Sequence, residues 1–492
     1  MKKQINRNKS LKLNFIMNAI LTMSSFVFPL ITFPYVSRIL LPVGTGKVSF
    51  ATSLISYFSM FAQLGIPTYG IRACAKVRDN REELTRTAHE LLAINLVMNA
   101  ISYAVLILAL LFVPRLQEDR TLYIVVSATI LLTSIGMEWL YKALEQYTYI
   151  TIRSIIFKFI ALVAMFLLIH EHSDYVIYGA ISILAASASN IFNFINVHKY
   201  IDMKPVGNYN FKRHFKAVGV FFAMSCATTI YTHLDTVMLG FMKTDEDVGY
   251  YNAAVKIKSI LVSIVTSLGT VLLPRASYYV EHEMMDEFRC ITKKALNFVF
   301  LAASPLMIYF ILYAKEGIYF LSGSAYESSI VPMQIIMPTL LLIGLTNILG
   351  IQILVPLGRE KVVLYSEITG AIVDLILNAI LIPKFASSGA AIGTLAAEFA
   401  VLVVQFSALR KEVSDAFRKI SYWKILLGLL CGTICSYWFV QFGFGNFLTL
   451  LVTACLFFAA YGIVLLLTKE KLTTEINGQI FKKFKKRKVD KK

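Results

Sequence analysis

Fourteen runs of about twenty mostly apolar residues divide this chain, and each is long enough to cross the hydrocarbon core of a bilayer as a helix. Their limits fall near 14–36, 48–69, 91–113, 121–141, 150–169, 175–197, 217–241, 248–273, 295–314, 329–355, 362–383, 389–409, 421–442 and 446–467. The short alternating segments of a membrane barrel are absent. The expected fold is an all-α polytopic membrane protein with 14 transmembrane helices. Composition excludes the soluble alternatives: 57% of the 492 residues are apolar and only 16% charged, against roughly 25% charged in soluble domains. A soluble enzyme, a disordered chain and a nucleic-acid-binding domain are all ruled out on that ground. The first run is too long for a signal peptide and lacks a small-residue cleavage site, so it reads as an anchor. The six cysteines mostly sit in apolar runs with no CxxC pair, and read as small buried hydrophobes rather than disulfides or metal ligands.

Lys and Arg set the orientation. With the N-terminus inside, the cytoplasmic segments hold 38 of the 48 Lys and Arg, including the dense block Lys482–Lys488. That bias places both termini in the cytoplasm of a cell-membrane protein. It also accounts for most of the net charge of +18, so no nucleic acid is implied. The 482–488 block fits either a topology anchor or contact with anionic lipid. All loops are short, so function has to reside within the bundle.

Spans 1–6 and 7–12 both start inside, which gives two six-helix lobes in parallel pseudo-repeat, a common transporter plan. The second span opens Gly46-Lys47-Val48-Ser49-Phe50-Ala51 and the eighth Gly249-Tyr250-Tyr251-Asn252-Ala253-Ala254. The expected division is an N-lobe at 1–200, a C-lobe at 201–416, two extra C-terminal helices at 417–468 and a basic cytoplasmic tail at 469–492, with 198–216 as the linker.

Charges inside spans usually face the bundle or a water-filled cavity. Glu138 and Lys142, four apart beside Trp139 and Tyr141, read as an interfacial ion pair; Arg153 and Lys158 snorkel. Glu367, Gly370, Asp374 and Asn378 share one face of span 11, Thr394 and Glu398 one face of span 12, and Asp235 lies on span 7 with His233. At 1.5 Å per residue, Asp235, Asn378 and Thr394 fall roughly 8–10 Å below the outer surface, and Asp374 and Glu398 about 14 Å below it. Oxygen ligands at matched depth suit a hard cation such as sodium. One or two carboxylates suffice for a proton relay, and hydrogen bonding to a neighbouring helix is the third reading. The interior cations Lys256 and Lys258 on span 8, with Arg38 and Arg72 at the ends of spans 1 and 2, suit an anionic phosphate ester; helix-end anchoring also explains the two arginines. Pro29 and Pro34 in span 1 and Pro332 and Pro338 in span 10 favour kinks. Gly65 and Gly70 around Pro67 allow similar bending. His-rich metal spacing, a GxSxG elbow and a Gly-rich phosphate loop are all missing, so no catalytic residue is expected.

PLITFPYVSRIL (29–40), LGIPTYGIRACAKVRD (64–79), EWLYKALEQYTYITIRSIIFK (138–158), LDTVMLGFMKTDEDVGYYNAAVKIK (234–258), SLGTVLLPRASYY (267–279) and the stretch 354–398 resemble the Wzx-type oligosaccharide flippases of the multidrug/oligosaccharidyl-lipid/polysaccharide exporter superfamily. The resemblance implies a MATE-like two-lobe fold around a central cavity. It implies a substrate of undecaprenyl diphosphate carrying an oligosaccharide, moved from the inner to the outer leaflet, with a polymerase and glycosyltransferases as pathway partners. By that resemblance Arg38 and Lys256, and more loosely Arg72, match substrate-contacting cations. No second Arg lies within span 1, so that cluster is thinner here. Asp235, Asp374, Asn378 and Thr394 match a sodium site, with sodium or a proton as coupling ion and no other cofactor. Two alternatives compete. A multidrug/cation antiporter of the same superfamily would favour acidic and aromatic cavity residues over Lys256 and Arg38. A membrane polysaccharide polymerase would carry a large outer loop with Arg and His.

Overall fold

A computed structural model describes residues 2–475, 477 and 478. Every regular element among them is helical. The basic block 482–488 lies outside the described residues.

The chain forms two compact units, Met1–Gly249 and Tyr250–Lys492. Unit 1 contains α1 (Lys2–Gln63), α2 (Ile66–Val77), α3 (Arg81–Phe112), α4 (Pro114–Gln117), α5 (Arg120–Ile135), α6 (Glu138–Ala143), α7 (Tyr147–Leu168), α8 (Tyr175–Ile183), α9 (Asn190–Asn196) and α10 (Lys212–Met242). The chain passes into unit 2 within α11 (Asp245–Glu281). Unit 2 continues through α12 (Met285–Leu312), α13 (Ala314–Leu321), α14 (Ile330–Ile336), α15 (Thr339–Asn347), α16 (Glu360–Arg418), α17 (Tyr422–Tyr437) and α18 (Asn446–Leu467). In unit 1, α1 packs against α3, α5, α7 and α10. In unit 2, α16 packs on α12, α14 and α15, and α17 pairs with α18.

Eleven helices among the described residues are long and apolar enough to cross a membrane, or twelve if the bent pair Ser324–Ile336 and Thr339–Leu354 is one span. The two longest helices, α1 and α16, are each interrupted by one non-helical residue, Leu41 (φ 58°) and Ala386 (φ 47°). Each therefore has room for two crossings, and the helices are compatible with fourteen. Their outer faces are apolar and bare: Phe112 and Leu467 are 76% exposed and Ile434 72%. Water does not tolerate such continuous apolar surface, whereas lipid requires it. The chain is an integral multi-pass membrane protein.

Prolines act differently at different positions. Pro42 follows the break at Leu41, as expected where a proline pushes its predecessor out of the helical region and lacks an N–H of its own. Pro29 and Pro34, expected to kink the first span, keep helical dihedrals inside α1. In the tenth span the 45° bend lies between α14 and α15, at Met337–Pro338. Pro332 does not kink, because it sits in the first turn of α14, where no helical N–H is needed. The cysteines also differ from expectation: only Cys74 is buried, while Cys290, Cys435 and Cys455 are exposed. The last two face outward on apolar helices, where a small hydrophobe is at home in lipid.

Polar contacts tie unit 1 together at both ends. At the Leu41 turn, a Cβ on Gly46 would run into the carbonyl of Asp245, and one on Gly249 into the carbonyl of Pro42. The second half of α1 and the start of α11 therefore cross backbone to backbone. Around this crossing, Lys47 pairs with Asp119 at 2.9 Å, Tyr175 OH donates to Asp119 at 2.7 Å, and Arg115 pairs with Asp245 and donates to Gly240 O at 3.1 Å. Far along the chain, the fully buried Glu90 of α3 accepts from Asn210 N (2.6 Å) and Arg213 Nε (2.9 Å) and contacts His214 Nε2 (2.6 Å). Glu90 thus clamps the 198–216 segment, and Tyr69 holds the other ring nitrogen of His214 at 2.8 Å.

Candidate functional site

The polar cluster of unit 2 is built by one helix folding back on itself. Close approaches of Gly389 to Leu381, Gly393 to Asn378, and Gln405 to Ser366 (3.0 Å) give the register of an antiparallel hairpin hinged at Ala386. Glycine is required at the centre. A Cβ on Gly393 would collide with Asn378 Oδ1 and stand 3.1 Å from Asp374 Oδ1. Both oxygens therefore lie over residue 393, next to Thr394. Thr394 Oγ1 is 2.9 Å from Tyr251 OH and donates to Ala390 O at 3.0 Å. Asp374 (2% exposed), Asn378 and Glu398 are all buried. The structure thus gathers Asp374, Asn378 and Thr394, with Glu398 one turn further on. It adds Tyr251, which spacing did not single out. The buried stripe on the first half of α16 runs Ser366, Gly370, Asp374, Asn378; Glu367, expected on that face, is only half-buried. Asp235 is buried on α10, in unit 1.

This set supplies two carboxylates, an amide and two hydroxyls, all hard oxygen donors suited to sodium or a proton rather than to a transition metal. Among the described residues, no group of three or more His, Cys, Asp or Glu is placed to hold a metal ion. Gly393→Ala is expected to force the two oxygens apart and cost roughly 1–3 kcal/mol of stability, as overpacking does. Thermal unfolding in detergent checks this, with Gly462→Ala, which meets only open space, expected to be neutral.

The candidate substrate cations are more dispersed. Arg38 is exposed just before the break at Leu41 inside α1 and donates to Pro34 O. Arg72 is exposed on α2, beyond the break at Gly65. Some twenty helical residues separate these two positions, roughly 30 Å along the second half of α1, so the structure does not bring the two together. Lys256 and Lys258 are half-buried on α11, in unit 2. The expected Glu138–Lys142 pair is present at 2.7 Å, and Glu138 also faces the buried Arg153 at 3.4 Å.

Unit 1 also has a half-open cavity of about 400 Å³ among α1, the start of α2, α5, α8 and α10. Its wall carries no charged side chain and many hydroxyls. Sequence reading passed over it.

The sequence pattern of the family described as polysaccharide biosynthesis protein matches residues 11–280, more than half of the chain. The chain belongs to the polysaccharide biosynthesis protein family. The MatE pattern matches residues 221–380. A candidate O-antigen transporter of Escherichia coli (strain K12) is 26% identical over 83% of this chain and 99% of its own length. The lipid II flippase MurJ, in an inward closed conformation, shares the fold at TM-score 0.69 and 16% identity, covering 91% of this chain and 98% of that one. An inward-facing MATE family multidrug resistance transporter of the MOP superfamily follows at TM-score 0.65 and 13% identity, covering 82% and 99%. The polysaccharide biosynthesis protein family match covers α1 to α10 and most of α11, and so includes the cavity of unit 1 and the residues Arg38, Arg72, Asp235, Lys256 and Lys258.

Proposed function

We propose that this protein is a flippase that moves undecaprenyl-diphosphate-linked oligosaccharide repeat units from the inner to the outer leaflet of the cytoplasmic membrane. The observation that carries this reading is the match to nearly the full length of an O-antigen transporter relative, on a chain whose fold is that of lipid and drug exporters. Arg38, Arg72, Lys256 and Lys258 neutralise the diphosphate as it crosses. Asp235, Asp374, Asn378, Thr394 and Glu398 bind sodium or a proton and couple its gradient to alternating access. The repeat units arrive from glycosyltransferases and leave to a polymerase. The MatE match supports a second reading, multidrug or cation antiport.

Purified protein in proteoliposomes is expected to expose a lipid-linked oligosaccharide to an external glycan-modifying enzyme, and to leave a lipophilic cation drug where it was. Drug movement without lipid movement would favour antiport instead. Both termini are inside in this scheme. In a background without native cysteines, Cys at Thr244 or Lys384 is therefore expected to react with an impermeant thiol reagent in intact cells, and Cys at Asn80 or Asn208 only after lysis. Reversed labelling would invert the orientation.

A further inference from the structure

The cavity of unit 1 has a wall chemistry that suits neither end of a lipid diphosphate. Its polar groups include Ser56, Ser59, Gln63, Thr129, Ser225 and Thr229, and its apolar ones include Ile55, Met60 and Val126. No Lys, Arg, His, Asp or Glu lines it. A diphosphate needs cations, and a polyprenyl chain would leave Thr129, Ser225 and Thr229 without a new hydrogen-bond partner. The remaining class is a neutral polyol with one apolar face, such as a pyranose ring. At about 400 Å³ the cavity falls within the range of small-molecule sites.

Three further observations point to a ligand there. Thr129 Oγ1 is buried with no hydrogen-bond partner, a costly arrangement for a polar group that binds nothing. Gln63 donates to Ser59 Oγ at 2.6 Å, so that wall is already organised in space. Two helix irregularities flank the cavity. One is the turn at Gly65 (φ 70°) followed by Pro67, which closes α1. The other is the wide π-turn Leu184–Ala188 that follows α8, with Ile183 and Ala186 on the lining. Non-helical backbone within a membrane span is tolerated where it borders a cavity, and π-turns are frequent at functional sites.

We infer that this cavity seats a neutral sugar of the transported glycan, its hydroxyls bonded to the Ser, Thr and Gln side chains and its C–H face against Ile55, Met60 and Val126. This rests on the flippase reading and specifies which part of the substrate unit 1 recognises. The cations are left to the diphosphate, and the cavity selects for the presence of sugar.

The test measures binding of two probes to the full-length protein in nanodiscs: undecaprenyl diphosphate alone, and undecaprenyl diphosphate bearing the repeat unit of the source strain. Wild type is expected to bind the glycan-bearing lipid more tightly. A Thr129→Val, Ser225→Ala double variant, which removes two hydroxyls with little change of volume, is expected to weaken the glycan-bearing lipid roughly tenfold. Its affinity for the bare lipid is expected to stay unchanged. Ser225→Phe, which fills the space, is expected to act in the same direction more strongly. Thr228→Val, on the exposed face of α10, is expected to change neither affinity. Equal losses for both lipids, or no loss for either, would overturn the sugar assignment while leaving the flippase intact. Failure of wild type to bind either lipid would overturn the flippase reading and this inference with it.

Discussion

An Arg38→Ala, Lys256→Ala double variant is expected to insert normally and to lose export of the lipid-linked oligosaccharide by roughly a hundredfold or more. A charge-assisted hydrogen bond contributes roughly 1.5–3 kcal/mol, and in a site shielded from water a diphosphate has few other ways to be neutralised. Basic residues toward the middle of the spans are scarce in this sequence, so only Arg72 and Lys258 remain to share the load. Neither side chain belongs to the buried apolar core, so removal does not open a cavity there. Lys256→Arg retains the charge and is expected to keep a measurable fraction of the rate. Export at the wild-type rate by the double variant, at matched expression, would remove these residues from the substrate path.

Asp374→Asn is the second large effect. The substitution is nearly isosteric, so the Gly393 contact persists, but one negative charge leaves a buried site that also holds Asn378 and Thr394. A cation can bias an inward–outward equilibrium only through its different affinity for the two states. Without the charge that difference shrinks, and transport is expected to lose its response to an imposed sodium or proton gradient by about tenfold or more. Asp235→Asn is expected to behave alike. Glu138→Gln is expected to do less, because Glu138 serves a local pair with Lys142 and Arg153. Flipping in proteoliposomes under separate sodium and proton gradients checks all three. If both Asp variants follow the gradients like wild type, Asp235 and the unit 2 cluster are each structural.

Most of the fold was legible because hydropathy over twenty residues is a strong, local signal, and helices are the only spans it allows here. What the sequence left open was decided by contacts between distant segments. Pro29 and Pro34 were expected to mark the irregularity of the first span, yet the non-helical residue is Leu41, just before Pro42. On span 11 the offsets put Glu367 on the buried face, yet Ser366 holds that place, and Gln405 reaches its hydroxyl from the returning half of α16. Asp374, Asn378 and Thr394 could be read from their offsets. Tyr251 could not, since it is 143 positions from Thr394. The hydroxyl cavity was invisible for a similar reason. Its Ser and Thr residues are spread over four helices, and each alone is an ordinary polar residue in an apolar run.

The crossing of Gly46 and Gly249 has a consequence for the tempo of the molecule. Side chains at most helix contacts relax one rotamer at a time, so such contacts loosen gradually. Here bare backbone meets bare backbone, with no torsions to absorb a small displacement, and the pairs Lys47–Asp119 and Arg115–Asp245 lie around the same spot. Parting these segments means shifting whole helix ends and rupturing their surroundings in a single event. That end of unit 1 is therefore a stiff joint, in which the helix ends are held by backbone fit and by the two ion pairs together.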